Sequence, residues 1–127
     1  MSVERVLHEY IDSDSTLMAS FPGGIHYAEV QEDAEYPYLV YWLISDPGDT
    51  YMTKSQGLAR VQIDIWDTDK IRGVRLRDMV RKKLLEMNVV AHGYAVTVME
   101  TTTQTIQRIS KSGPYHYVVD GILKWQE

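Results

Sequence analysis

Ala59-Arg-Val-Gln-Ile-Asp-Ile-Trp66 is followed at once by Asp67-Thr-Asp69 and then by the stretch from Lys70 to Met87. These three pieces decide the fold. In the first, apolar and polar residues alternate, so Ala59, Val61, Ile63 and Ile65 share one face and Arg60, Gln62, Asp64 and Trp66 the other. That is a strand with one buried side. Asp67 and Asp69 are N-cap candidates. Behind them Leu76, Met79, Val80, Leu84 and Met87 recur at helical spacing and give a long helix a buried stripe. Asn88 is read as its left-handed C-cap.

Working outward, Tyr38 to Ile44 is nearly all apolar and opens after Pro37, as a central strand covered on both faces would. Ile25 to Val30 reads as a short strand, and Phe21-Pro-Gly-Gly24 before it as a bend. The chain begins with an amphipathic helix on Val3, Val6, Leu7, Tyr10 and Ile11, capped by Ser2. Thr16 to Ser20 forms a further short turn. Two final strands are expected, Tyr94 to Thr102 and Tyr115 to Trp125, joined through Ser112-Gly-Pro114. The order helix, strands, helix, strands predicts one α+β domain spanning 1–127. Its mostly antiparallel sheet has about four to five strands, with one long and one shorter helix packed on it.

Composition narrows the chemistry. The 127 residues include no cysteine, which excludes disulfides and thiolate metal sites. No signal peptide precedes the first helix, and no apolar run is long enough to span a bilayer, so the expected place of synthesis is the cytoplasm, without membrane attachment. Asp64, Asp67 and Asp69 cluster at a strand end, but caps and opposite strand faces account for them better than a metal would. His8, His26, His92 and His116 are scattered without metal-ligand spacing. There is no nucleophile elbow and no phosphate-binding glycine loop, and the carboxylates Glu32 and Asp33 sit in a polar connection. The expectation is a protein without enzymatic activity, cofactor or metal.

Charge is the informative property. The net charge is −5, but Glu9 to Thr53 holds nine acids and no Lys or Arg, while Lys70 to Lys83 holds seven basic residues and one acid. Such segregation predicts an acidic and a basic surface on one body. Arg72, Arg75, Arg81, Lys82 and Lys83 on one side, and Glu32, Asp33 and Glu35 on the other, are the candidates for contact between copies. A head-to-tail contact between two different patches closes into a ring when the rotation allows. The hydrophilic segment from Asp46 to Gly57, long for a strand connection, is expected to meet a neighbour through Asp49, Tyr51, Met52 and Lys54.

Tyr36-Pro-Tyr-Leu-Val-Tyr41, a polar loop, Arg60-Val-Gln-Ile-Asp-Ile-Trp66 and the amphipathic helix together resemble the tail-completion, or tail-terminator, proteins of long-tailed bacteriophages. The resemblance covers nearly the whole chain in order of elements, and in residue detail positions 36 to 86. It implies a structural virion protein: a hexameric ring at the head-proximal end of the tail, ending tube growth and joining tail to head. Its implied partners are the tail-tube protein and the head-tail connector, with DNA passing through the ring without sequence recognition. Two other readings stay open. One is a connector or minor tail subunit of related fold. The other is a monomeric adaptor that binds nucleic acid or protein through the basic helix.

Overall fold

The computed structural model describes residues 3–28, 34–45, 56–106 and 112–127. Three helices, α1 (Val3–Asp12), α2 (Ser15–Ala19) and α3 (Lys70–Leu85), accompany six strands. The strands are β1 (Ile25–Tyr27), β2 (Tyr38–Ser45), β3 (Gln56–Asp67), β4 (Asn88–Ala91), β5 (Tyr94–Ile106) and β6 (Tyr115–Gln126). They form one sheet in the order β1-β2-β3-β6-β5-β4. β1 runs parallel to β2, and every other pair is antiparallel. Among the described residues no helix is long and apolar enough to cross a membrane.

β3 lies inside the sheet, paired with β2 on one side and, from Gln56↔Gln126 to Asp67↔Tyr115, with β6 on the other. Its alternation does what the sequence required. Ala59, Val61, Ile63 and Ile65 are buried in one cluster with Leu39, Tyr41, Tyr117, Val119 and Leu123 of the neighbouring strands. Val6, Leu7, Ile11 and Leu17 of the first two helices, and Leu76, Val80 and Leu84 of α3, close that cluster from above. All three helices therefore bury their apolar residues against the same face. The apolar run of β2 lies inside the sheet as expected, but its second face is covered only in part. Ile44 is left exposed, and Val40 is buried beside its register partner Asp64.

The structure also revises other boundaries. Asn88 is not a cap: α3 stops at Glu86, a right-handed C-cap whose N–H donates to the Lys82 carbonyl while the Met87 N–H donates to that of Leu84, and Asn88 begins β4. His92 and Gly93, with φ of 53° and 82°, then make the two-residue turn between Ala91 and Tyr94. Two consecutive left-handed residues give a hairpin turn whose twist matches its strands. The missed β4 raises the strand count to six. β1 ends at Tyr27, where Ala28 turns left-handed at φ 67°. The connection expected to run to Gly57 ends earlier, because β3 starts at Gln56. The turn expected after Asp14 is a helix, α2, whose Leu17 N–H is capped by the Asp14 carboxylate at 2.9 Å.

Two glycines set how closely α3 approaches the sheet. A Cβ on Gly73 would lie 2.3 Å from Cε2 of Tyr117, and one on Gly121 would lie 2.7 Å from Cδ2 of Leu84. The Tyr117 ring cannot swing aside freely, because its hydroxyl donates to the Lys70 carbonyl at 3.0 Å. In an open helix Gly73→Ala would gain about 1 kcal/mol of propensity. Here overpacking, at about 1–3 kcal/mol, is expected to reverse the sign. Urea unfolding should find Gly73→Ala less stable than the parent, and equal or higher stability would refute the close contact.

Candidate subunit interface

The turn from β3 into α3 is built from carboxylates. Asp67 is fully buried and accepts two hydrogen bonds from Arg72, from Nε at 2.8 Å and from Nη2 at 2.6 Å. It also accepts the Asp69 N–H at 3.1 Å. Asp69 in turn caps the Arg72 N–H at 3.1 Å. The bidentate hydrogen bonds it donates to Asp67 hold the Arg72 guanidinium above its ordinary pKa. Arg72 is thus occupied inside its own subunit.

Lys83, at the other end of α3, is occupied as well. Its ammonium lies 3.3 Å from the Asp14 carboxylate and 4.2 Å from the centre of the Tyr10 ring. The Tyr10 hydroxyl donates to the Lys83 carbonyl at 2.6 Å, satisfying one of the carbonyls a helix end leaves open. Arg77 pairs with Asp78 and reaches Thr105 Oγ1 at 3.2 Å. Three of the seven cations are therefore spent on internal contacts. Arg75, Arg81 and Lys82 are exposed and have no ion-pair partner among the described residues. Ile71 is 84% exposed and Leu85 45%, so apolar side chains stand at both ends of this outer surface.

The acidic side divides in the same way. Glu9 is paired with Arg5 and with His92. Asp14 caps α2 and meets Lys83. Glu35 is exposed on the approach to β2, its carbonyl against Gly23. Glu32 and Asp33 lie outside the described residues, as do Asp49, Tyr51, Met52 and Lys54.

A second polar cluster was not anticipated. It lies on the sheet face away from the helices, where Trp66 pairs with His116 and their rings stack at 3.9 Å. His116 Nε2 is 2.9 Å from Asp64, and Gln62 Nε2 donates to both oxygens of that carboxylate at 3.2 Å. Asp64 is only 4% exposed although no helix covers it. Beside the cluster Arg60 and Asp120 face each other at 3.7 Å, on a cleft of about 220 Å³ that Glu100, Thr102 and Ile122 also line. The three carboxylates suspected of a shared site are separated: Asp64 faces His116, Asp67 holds Arg72, and Asp69 caps the helix. Among the described residues no group of three or more His, Asp or Glu could hold a metal ion.

A family model described as tail completion protein gp17 matches residues 5–121. No curated protein sequence matches the chain. Two solved structures are similar in fold. One, from the virion of a native gene transfer agent particle, is 12% identical with a TM-score of 0.62, over 98% of this chain and 93% of that one. The other is 15% identical with a TM-score of 0.60, over 100% of this chain and 97% of that one.

Two outcomes follow from these contacts. Asp67→Asn removes the charge that receives Arg72 and should cost about 1.5–3 kcal/mol in denaturant unfolding; a loss within error would mean that the pair is dispensable. The second concerns acid. The hydrogen bond from His92 lowers the Glu9 carboxyl below its ordinary 4.5, and that from the Leu17 N–H lowers Asp14 below 3.8. Depressed carboxylates stabilise the fold above their unfolded values, and that contribution is lost as pH falls through the folded ones. Both groups are exposed, so the effect is small and salt-sensitive. Melting temperature should drop less steeply below pH 4.5 in an Asp14→Asn, Glu9→Gln variant than in the parent.

Proposed function

The chain belongs to the tail completion protein gp17 family, as a structural component of a phage virion tail that assembles with other proteins of the particle, and on that footing we propose that its copies close into a ring. The ring is a hexamer at the head-proximal end of the tail. It stops growth of the tail tube and offers the filled head a surface to join. Its work is contact rather than catalysis, with the tube protein on one side, the connector on the other, and DNA passing through without being read. Asp49, Tyr51, Met52 and Lys54 make contacts to a neighbour or to the tube.

The observation that carries this reading is the division of labour among the cations of α3. Arg72, Arg77 and Lys83 have internal partners, whereas Arg75, Arg81 and Lys82 point outward without one among the described residues. Solubility needs net charge, not charge sorted onto one helix. An acidic surface on the next copy, with Glu32, Asp33 and Glu35, gives these cations opposite charges to meet, which steers encounter and sets orientation. Each rim pair contributes about 0.2–1 kcal/mol, so several must act together.

Replacing Arg75, Arg81 and Lys82 by Glu should leave the melting curve unchanged and abolish the ring in sedimentation and electron micrographs. Adding Glu32→Lys, Asp33→Lys and Glu35→Lys should restore it. Assembly of the parent should weaken as salt shortens the screening length to roughly 8 Å and below. A triple variant that assembles as well as the parent at low salt would place the basic helix on the lumen or in solvent, away from the contact between copies.

A further inference from the structure

The sheet has two faces, and the helices bury their apolar residues against one of them. On the other face, side chains of β2, β6 and β5 stand in register with Arg60, Gln62 and Asp64 of β3. The middle of that face is closed, since Val40, Asp64 and Val118 are buried there. Towards β5 it stays open. Glu100, Thr102, Gln104 and Ile106 are exposed, and between the β5 side chains and Arg60 lies the cleft lined by Asp120 and Ile122. This cleft has acceptors without donors. Asp120 Oδ1 is buried and finds no hydrogen-bond donor among the described residues. Arg60 Nη2, at 3.7 Å, offsets its charge but stands beyond hydrogen-bond reach. Glu100 at the rim has no ion-pair partner among the described residues. Two carboxylates thus face one guanidinium, and the cleft keeps a negative charge.

We propose that this cleft receives the outer ridge of α3 from a second copy, so that the helical layer of one subunit covers the open half of the next subunit's sheet. The inference rests on the ring reading and names where on the sheet the cations of α3 land. Ile71, Arg75 and Lys82 stand at i, i+4 and i+11, opposite the buried stripe of Gly73, Leu76, Val80 and Leu84, and so form one ridge. Arg75 and Lys82 are exposed, lack ion-pair partners among the described residues, and lie about 10 Å apart along the helix axis. Asp78, on the same side, is held by Arg77 at 3.2 Å. Arg81 lies one turn from Arg77, off the ridge. Ile71, 84% exposed, brings an apolar side chain to meet Ile122 in the cleft. Charge selects the occupant. The cleft set against its own copy would bring Glu100 and Asp120 against their equivalents, and α3 set against α3 would do the same with the cations. Ridge on cleft joins opposite signs. It also joins two different surfaces from opposite faces of the subunit, the heterologous contact that closes rings.

The chain has no cysteine, so introduced thiols report on this contact without background. Ile71→Cys and Thr102→Cys each replace an exposed side chain, one on the ridge and one at the cleft. The two single variants, mixed above the assembly concentration and treated with a short bismaleimide, should cross-link to each other and neither to itself. In sedimentation, Glu100→Lys should raise the assembly concentration at least about tenfold while the melt is unchanged, and adding Arg75→Glu and Lys82→Glu to it should bring that concentration back down. A ring in electron micrographs that gives no such cross-link, or that ignores Glu100→Lys, would overturn the cleft contact and leave the ring standing. The cross-link in an open filament or a dimer would support the contact and sink the ring. A monomer at every concentration would sink both.

Discussion

At Gly73 the ring of Tyr117 occupies the space a side chain would take, and at Gly121 the end of Leu84 does the same from the opposite direction. At these two points no Cβ atom holds α3 off the sheet, and the helix lies close over β6, with β5 and β3 on either side. The spacing decides what can sit beneath the helix: Val61 and Val119, small and branched, fill the gap without strain. It also decides where the charges go. A helix held this low has only its outer surface left for long side chains, and the cations that stay near the sheet must find partners there, as Arg72 does in Asp67 and Arg77 in Thr105.

Polar contacts at the ends of α3 complete that arrangement. Asp67 and Asp69 fix the entry to the helix, and Tyr10, Asp14 and Lys83 fix the exit, so α1 and α2 are tied to the end of α3 rather than to its middle. Burial raises the pKa of Tyr10 and of Tyr41, which meets His8 of α1, so both phenols stay protonated and able to donate. Hydrogen bonds thus hold the edges of the helical layer, and apolar packing its centre.

Much of this was legible in the sequence, because β3 and α3 are long and strictly periodic. The buried face of β3 and the stripe Leu76, Val80, Leu84 followed from spacing alone. Short elements were legible only in part: β1 was expected from Ile25, whereas β4 was not. Asn88-Val-Val-Ala91 has only four residues, too few to show a period, and the His92-Gly93 turn that makes it a strand is a tertiary signal weaker in sequence than a cap at Asn88. The end of β1 is set at a left-handed residue, Ala28, of a type that seldom adopts that conformation. The cluster of Gln62, Asp64, Trp66 and His116 needed the register of β3 on β6, a relation between distant segments that no local pattern encodes. For the candidate interface, residue type singled out five basic positions, Arg72, Arg75, Arg81, Lys82 and Lys83, but which of them have partners inside the chain depended on tertiary structure.

β6 is the last strand in the sequence and among the most interior in space. Ile63 finds its partner in Val119, and Ala59 in Leu123, so the middle of the sheet is made of segments that leave the ribosome far apart in time. Until β6 emerges, β3 has an unpaired edge and α3 has neither Tyr117 nor Gly121 to rest on. A fold with contacts of such long range forms slowly and late, and it forms as a whole or not at all. For a component of a virion tail that must be complete before it can join the particle, late closure has a use. Chains still being made display neither the β5–β6 hairpin nor a seated α3, and so cannot enter an assembly half-finished.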